Sequence, residues 1–328
     1  MNLYPQETHA MNQGASLAHQ NQTIDNWCNE IYSACAGFGT DEARLTKLIG
    51  TKTASERAYI ALRYPELHNK SLYSEMKGET SGDYGKLLQL LAQPLEEAEA
   101  LIIRDATKGA GTTEKLLYPV LGGRTNEELN ILKKAFFKVY ENDMVVTLAD
   151  DLGGDLKTFV LAVVNQMTQE YNPAIHTQAK AAEIADIIYK AGEGKWGTDE
   201  SAFCNALCSI PPQFMATVNA AYVAKHGNSL ERAIEKEFGG KAEDAILYHV
   251  GMILNPIETI AVQFERTMKG MGTDEYGLSA AIVRYQRYLP QVAQVYQSKY
   301  GKSLRDRIHG ETSGNYRDLL LTILEHST

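Results

Sequence analysis

The chain has 328 residues, 44% of them hydrophobic, with a formal charge of −9. That length allows a sizeable core, as about two ordinary domains or one repeat array. The acidic balance argues against nucleic acid, whose phosphates call for clustered Lys and Arg, and against simple electrostatic attachment to acidic lipids.

In chain order, residues 1–22 form a polar head without a basic region or an apolar run, so no signal peptide is expected and the head should be mobile. Nowhere do the roughly 18 apolar residues of a membrane span run together, and a soluble, cytoplasmic protein is expected. Three stripes then follow the i, i+3, i+4, i+7 template of an amphipathic helix: Ile24, Trp27, Cys28, Ile31 and Cys35; Ile184, Ile187, Ile188 and Ala191; Ile257, Ile260, Ala261, Phe264 and Met268. A fourth, near residue 99, is interrupted by Glu99. Pro94 and Pro256 sit where a helix can open, and Thr53 with Glu56 and Thr125 with Glu128 have capping-box spacing. Sustained period-2 alternation is absent, so the chain reads as all-α. Its four cysteines, Cys28, Cys35, Cys204 and Cys208, are expected to be packing residues and not a disulfide framework.

After each stripe comes a glycine-rich turn: CAGFGTDE (35–42), TKGAGTTE (107–114), GKWGTDE (194–200) and MKGMGTDE (268–275). The threonine of each reads as a helix cap. Thr40, Thr112, Thr198 and Thr273 are separated by 72, 86 and 75 residues, which gives a repeat near 70 with an extension before the third copy. The units are expected at 23–94, 95–171, 172–254 and 255–328.

A second element recurs downstream. SLYSEMKGETSGDY (71–84) and SLRDRIHGETSGNY (303–316) agree at eight of fourteen positions, and the same register yields Glu237 and Asp151 in the other two units. From loop threonine to acid the distances are 39, 39, 39 and 38 residues. A spacing held four times implies that turn and carboxylate meet. Glycine backbones can aim consecutive carbonyl oxygens inward. Carbonyls with one carboxylate make an all-oxygen donor set that suits Ca²⁺, with its six to eight ligands at about 2.3–2.6 Å, better than Mg²⁺ or zinc. Positions left open would take an anionic oxygen such as a lipid phosphate, and by linkage calcium and lipid would strengthen one another. Phe38, Trp196 and Met271 at the loop tips are expected to dip into the headgroups, as Trp favours the membrane–water interface. A metal-free reading of the acids also exists: Ser81 and Ser313 suggest a helix N-terminus nearby, which favours a carboxylate.

These residues resemble the annexin family, whose repeat looks like K-G-x-G-T followed about 38 residues later by an acid in G-[DE]-T-S-G-x-Y. The likeness covers residues 23–328 and is nearest to the divergent protist members. It implies four repeats of about five helices forming a slightly curved disc, with a short N-terminal head. It also implies calcium ligands: the backbone oxygens of Cys35, Gly37 and Gly39 with Glu79; Thr107, Gly109 and Gly111 with Asp151; Gly192, Lys195 and Gly197 with Glu237; Met268, Gly270 and Gly272 with Glu311. Repeats 2 and 3 lack the Thr-Ser-Gly turn after the acid, so the first and fourth sites rank highest.

The expected function is calcium-dependent binding to acidic phospholipid membranes, peripheral on their cytoplasmic face. The alternative is a calcium-insensitive scaffold associated with cytoskeletal proteins, an association known for the family. No P-loop, G-x-S-x-G or H-E-x-x-H is present, and no catalytic activity is expected.

Overall fold

The computed structural model describes residues 3–4, 22–37, 39–109, 111–165 and 168–327. Among these there are twenty α-helices, one short 3₁₀ turn and no strand. They fall into four sets of five. The first is α1 (Gln22–Cys35), α2 (Glu42–Gly50), α3 (Ala54–His68), α4 (Leu72–Glu79) and α5 (Gly82–Leu91). The second is α6 (Leu95–Thr107), α7 (Glu114–Leu121), α8 (Asn126–Tyr140), α9 (Met144–Asp151) and α10 (Gly154–Asn165). The third is α11 (Gln178–Ala191), α12 (Glu200–Cys208), α13 (Pro212–His226), α14 (Leu230–Glu237) and α15 (Gly240–Leu254). The fourth is α16 (Pro256–Met268), α17 (Glu275–Arg284), α18 (Leu289–Tyr300), α19 (Leu304–Glu311) and α20 (Gly314–Glu325).

Local sequence accounts for many of the ends. Thr53 and Thr125 form reciprocal capping boxes with Glu56 and Glu128, which satisfy amides that have no partner within the helix. Pro256 is the first residue of α16, and Pro94 directly precedes α6, where its carbonyl accepts the Glu97 and Ala98 amides at 3.0 Å. The stripes face the core with one correction. Ile187 is exposed, and α11 buries Ala181, Ala185, Ile188 and Ala191. Small alanines occupy the face that the sequence reading assigned to the bulkier isoleucines. All four cysteines are free and buried.

The chain divides into two compact units. One is Ile102–Pro256, and the other joins the chain up to Leu101 with Ile257–Thr328. In the second unit, α1 packs on α3, α2 on α20 and α5 on α17. Gly50 allows the α2–α20 approach, because a Cβ there would stand 3.0 Å from Leu319 Cδ1 and from Thr322 Cγ2. In the first unit, α11 packs on α13, α10 on α12 and α7 on α15. There Gly123 has φ +71°, and a Cβ would lie 2.4 Å from Met252 Cβ, so no side chain fits. Within each unit the second helix of one repeat therefore lies against the fifth helix of the other.

Glu99, the residue that breaks the second stripe, is completely buried. Arg284 Nε donates to its Oε1 at 2.7 Å, and the Tyr4 hydroxyl donates to Oε2. Leu3 and Tyr4 are themselves buried, which departs from the expectation of a wholly mobile head. A polar residue in an apolar stripe is thus a paired internal charge.

Candidate metal sites

Each glycine-rich turn links the first helix of its repeat to the second. The residue after each loop threonine bonds back to the first helix: Asp41 to the Ala34 carbonyl, Thr113 to Ala106, Asp199 to Ala191 and Asp274 to Thr267, at 2.9, 2.8, 2.7 and 2.8 Å. These acceptors immediately precede Cys35, Thr107, Gly192 and Met268, the first residue of each expected ligand set. In the three K-G-x-G-like turns both glycines have positive φ: 113° and 87° for Gly37 and Gly39, 114° and 96° for Gly109 and Gly111, 111° and 88° for Gly270 and Gly272. L-residues rarely adopt that conformation, which explains the glycine pair. Among the described residues, no hydrogen bond reaches the carbonyl oxygens of these six glycines.

The loop threonines do not cap the second helix. That role falls one residue later, where Asp41, Asp199 and Asp274 accept the amides of Arg44, Ala202 and Gly277, each at 3.0 Å. The threonine is turned onto the acid instead. Thr40 Oγ1 donates to the Glu79 carbonyl at 3.1 Å and Oε2 at 3.3 Å; Thr273 Oγ1 reaches the Glu311 carbonyl at 3.2 Å and Oε2 at 3.4 Å. Thr112 donates to the Asp151 carbonyl at 3.2 Å and to Oδ2, and Thr198 donates to Glu237 Oε2. All four acids therefore stand beside the turns from which they are separated by nearly forty residues.

Each acid is the last residue of an eight-residue helix: α4, α9, α14 or α19. Helix carbonyls converge there, and a carboxylate gains nothing from that end of the dipole. Ser81 and Ser313 begin the following helices, yet no amide of those helices bonds Glu79 or Glu311. Neither acid therefore caps the helix that follows it. Among the described residues, no cluster of three or more His, Cys, Asp or Glu is placed to hold a metal, so a cation here would depend on backbone oxygens and one carboxylate.

The turns are not equivalent. In the second repeat, Thr107 and Asp151 line a surface pocket of about 400 Å³ with Asn142, Asp143 and Thr147. In the third, the Gly192 carbonyl accepts the Lys195 amide at 3.1 Å, and a Cβ on Gly192 would lie 3.0 Å from Glu237 Cγ. Neighbouring Glu193 is held by Lys236, Tyr222 and Asn228 at 2.7, 2.9 and 2.9 Å, and their hydrogen bonds and charge keep its carboxyl below the usual range despite partial burial. In the fourth, Arg307 donates to the Met268 carbonyl and pairs with Glu311 Oε1 at 2.7 Å. The sequence reading missed Arg307, although it lies one helical turn before Glu311 on the same face.

Trp196 and Met271 are fully exposed and do not pack under neighbouring helices. Phe38 lies outside the described residues. No helix among the described residues is long and apolar enough to cross a membrane.

The annexin family model matches residues 28–91, 97–163, 183–248 and 260–323. The chain is 33% identical to annexin A13 of Mus musculus over 308 residues, which cover 93% of this chain and 96% of that protein. It is likewise 33% identical to annexin A13 of Homo sapiens over 303 residues, or 92% and 95% of the two chains. Among solved structures, annexin III superposes with a TM-score of 0.86 at 28% identity, covering 93% of this chain and 94% of that one.

Proposed function

The chain belongs to the annexin family, and from that premise we propose that it binds acidic phospholipid membranes through calcium held at its inter-helical turns. Annexins are in general calcium-dependent phospholipid-binding proteins without enzymatic activity. In this chain the ion would be held by the carbonyls of Cys35, Gly37 and Gly39 with Glu79, and by the corresponding residues of the second and third repeats. The observation that carries the reading is the threonine–acid bond, which in the first and second repeats brings a carboxylate to a turn whose paired glycine carbonyls have no hydrogen-bond partner among the described residues.

When bound, calcium supplies positive charge that an acidic protein and an acidic bilayer both lack. The protein's part is to fix the donors in advance. The glycine pairs set the direction of the carbonyls, the closing bond to the first helix fixes the width of the turn, and the threonine hydroxyl holds the acid. A single carboxylate leaves a dication incompletely neutralised, so lipid phosphate completes the balance and each ligand strengthens the other. Trp196 and Met271, standing free at the loop tips, would enter the headgroup layer.

Co-sedimentation with phosphatidylserine vesicles tests this. Pelleting should need calcium, reverse in chelator, and weaken in Glu79→Gln and Asp151→Asn. Undiminished pelleting in chelator would overturn the reading, and co-sedimentation with cytoskeletal polymer in chelator would favour the calcium-insensitive scaffold.

A further inference from the structure

We infer that the fourth turn carries its own cation: the Arg307 guanidinium occupies the place between Met268 and Glu311 that a calcium ion would take, and calcium enters this site only by displacing it. The inference rests on the calcium reading of the turns. Nη1 of Arg307 lies 2.7 Å from Glu311 Oε1, and Nη2 donates to the Met268 carbonyl. The Thr273 hydroxyl lies 3.4 Å from Oε2 of the same carboxylate. Both carboxylate oxygens and the first carbonyl of the expected ligand set therefore already have partners.

The arrangement is confined to this repeat. Counting from the serine or aspartate that opens each of α4, α9, α14 and α19, Arg307 stands in the register of Glu75, Thr147 and Ala233. None of Glu79, Asp151 and Glu237 is ion-paired in the described structure, in contrast to Glu311. A second acid accompanies the arginine. Glu265 Oε2 lies 3.6 Å from Arg307 Nε and accepts the Tyr296 hydroxyl, whereas Tyr32 holds the matching place, eight residues before the loop threonine, in the first repeat. Repeat 4 thus has a base at this position and a second acid beside it.

Guanidinium is suited to this place because its planar fork can serve a carbonyl and a carboxylate together, which a lysine ammonium does less well. With Arg307 present, Glu265, Glu311 and Arg307 sum to −1, and an incoming dication meets a fixed positive charge. Without it, the charges of Glu311 and the nearby Glu265 sum to −2 and match Ca²⁺. Removing Arg307 should therefore open a calcium site stronger than the single-acid sites.

The test is equilibrium dialysis of calcium against the full chain with phosphatidylserine vesicles, in a background of Glu79→Gln, Asp151→Asn and Glu237→Gln that leaves only the fourth acid. Adding Arg307→Met should lower the half-saturating calcium at least tenfold, and adding Glu311→Gln should reverse the gain. Arg307→Lys, which keeps the charge and loses the fork, should fall between. Circular dichroism of each variant verifies folding. An unchanged half-saturation on Arg307→Met, while the wild type binds calcium, would overturn the inference and leave the calcium reading standing. A wild type that takes up no calcium would sink the reading itself.

Discussion

The Thr40 hydroxyl lies 3.3 Å from Oε2 of Glu79, a partner 39 residues further along the chain. This bond fixes a carboxylate at the end of α4, where among the described residues neither a basic side chain nor a helix amide pairs with it. Its expected value is calcium binding and not stability. Glu79→Gln should leave Tm in chelator near that of the wild type, with a stability change within about 0.5 kcal/mol, and should reduce the stabilisation that calcium and vesicles add. Thermal unfolding with and without calcium separates this from a structural role, which would lower Tm equally in both.

The repeat number, the all-helical class and the meeting of turn and acid were legible because they rest on spacing, and spacing survives in sequence. Thr40 to Glu79 is one such distance. What was not legible depends on where side chains point. Thr40 reads as a cap, yet Asp41 takes that position and frees the threonine for Glu79. Arg307 reads as one of the solvated charges of a short helix, since its spacing to Glu311 is visible but its second contact, to Met268, comes from another helix. Glu99 reads as a flaw in an apolar stripe because its partners, Tyr4 and Arg284, are far away in sequence.

Glu99 makes a separate prediction. Its carboxylate is fully buried between the Arg284 guanidinium and the Tyr4 hydroxyl. Glu99→Gln removes the charge from the buried pair with Arg284 and should cost several kcal/mol, about 3–5, whereas Tyr4→Phe removes one hydrogen bond and should cost about 1 kcal/mol. Denaturant unfolding of both single variants and the double variant should show non-additive losses, because the residues share one network.

His249 sets an acid limit on stability in the Ile102–Pro256 unit. The Gly123 amide donates to its Nδ1 at 3.1 Å, and burial pushes its pKa from 6.5 down to about 4. The unfolded chain therefore takes up this proton first as pH falls. The stabilising contribution is complete above pH 6.5 and is lost as pH drops towards 4, a loss of roughly 3 kcal/mol. His249→Gln should lower Tm at pH 7 and flatten the fall of Tm between pH 6.5 and 4.

Trp196 provides an optical readout of membrane contact. It is fully exposed, while Trp27 is half-buried with Lys52 Nζ 4.2 Å from its ring centroid. In a Trp27→Phe background, the remaining emission should shift to the blue when phosphatidylserine vesicles and calcium are both present, and return in chelator. An unshifted spectrum at saturating calcium would take Trp196 out of the membrane contact.

The most direct measurement is a crystal structure grown in abundant calcium. The account predicts density for the ion at the first turn, about 2.3–2.6 Å from the carbonyls of Cys35, Gly37 and Gly39 and from the Glu79 carboxylate. Calcium bound elsewhere, with Glu79 turned away from the turn, would contradict it.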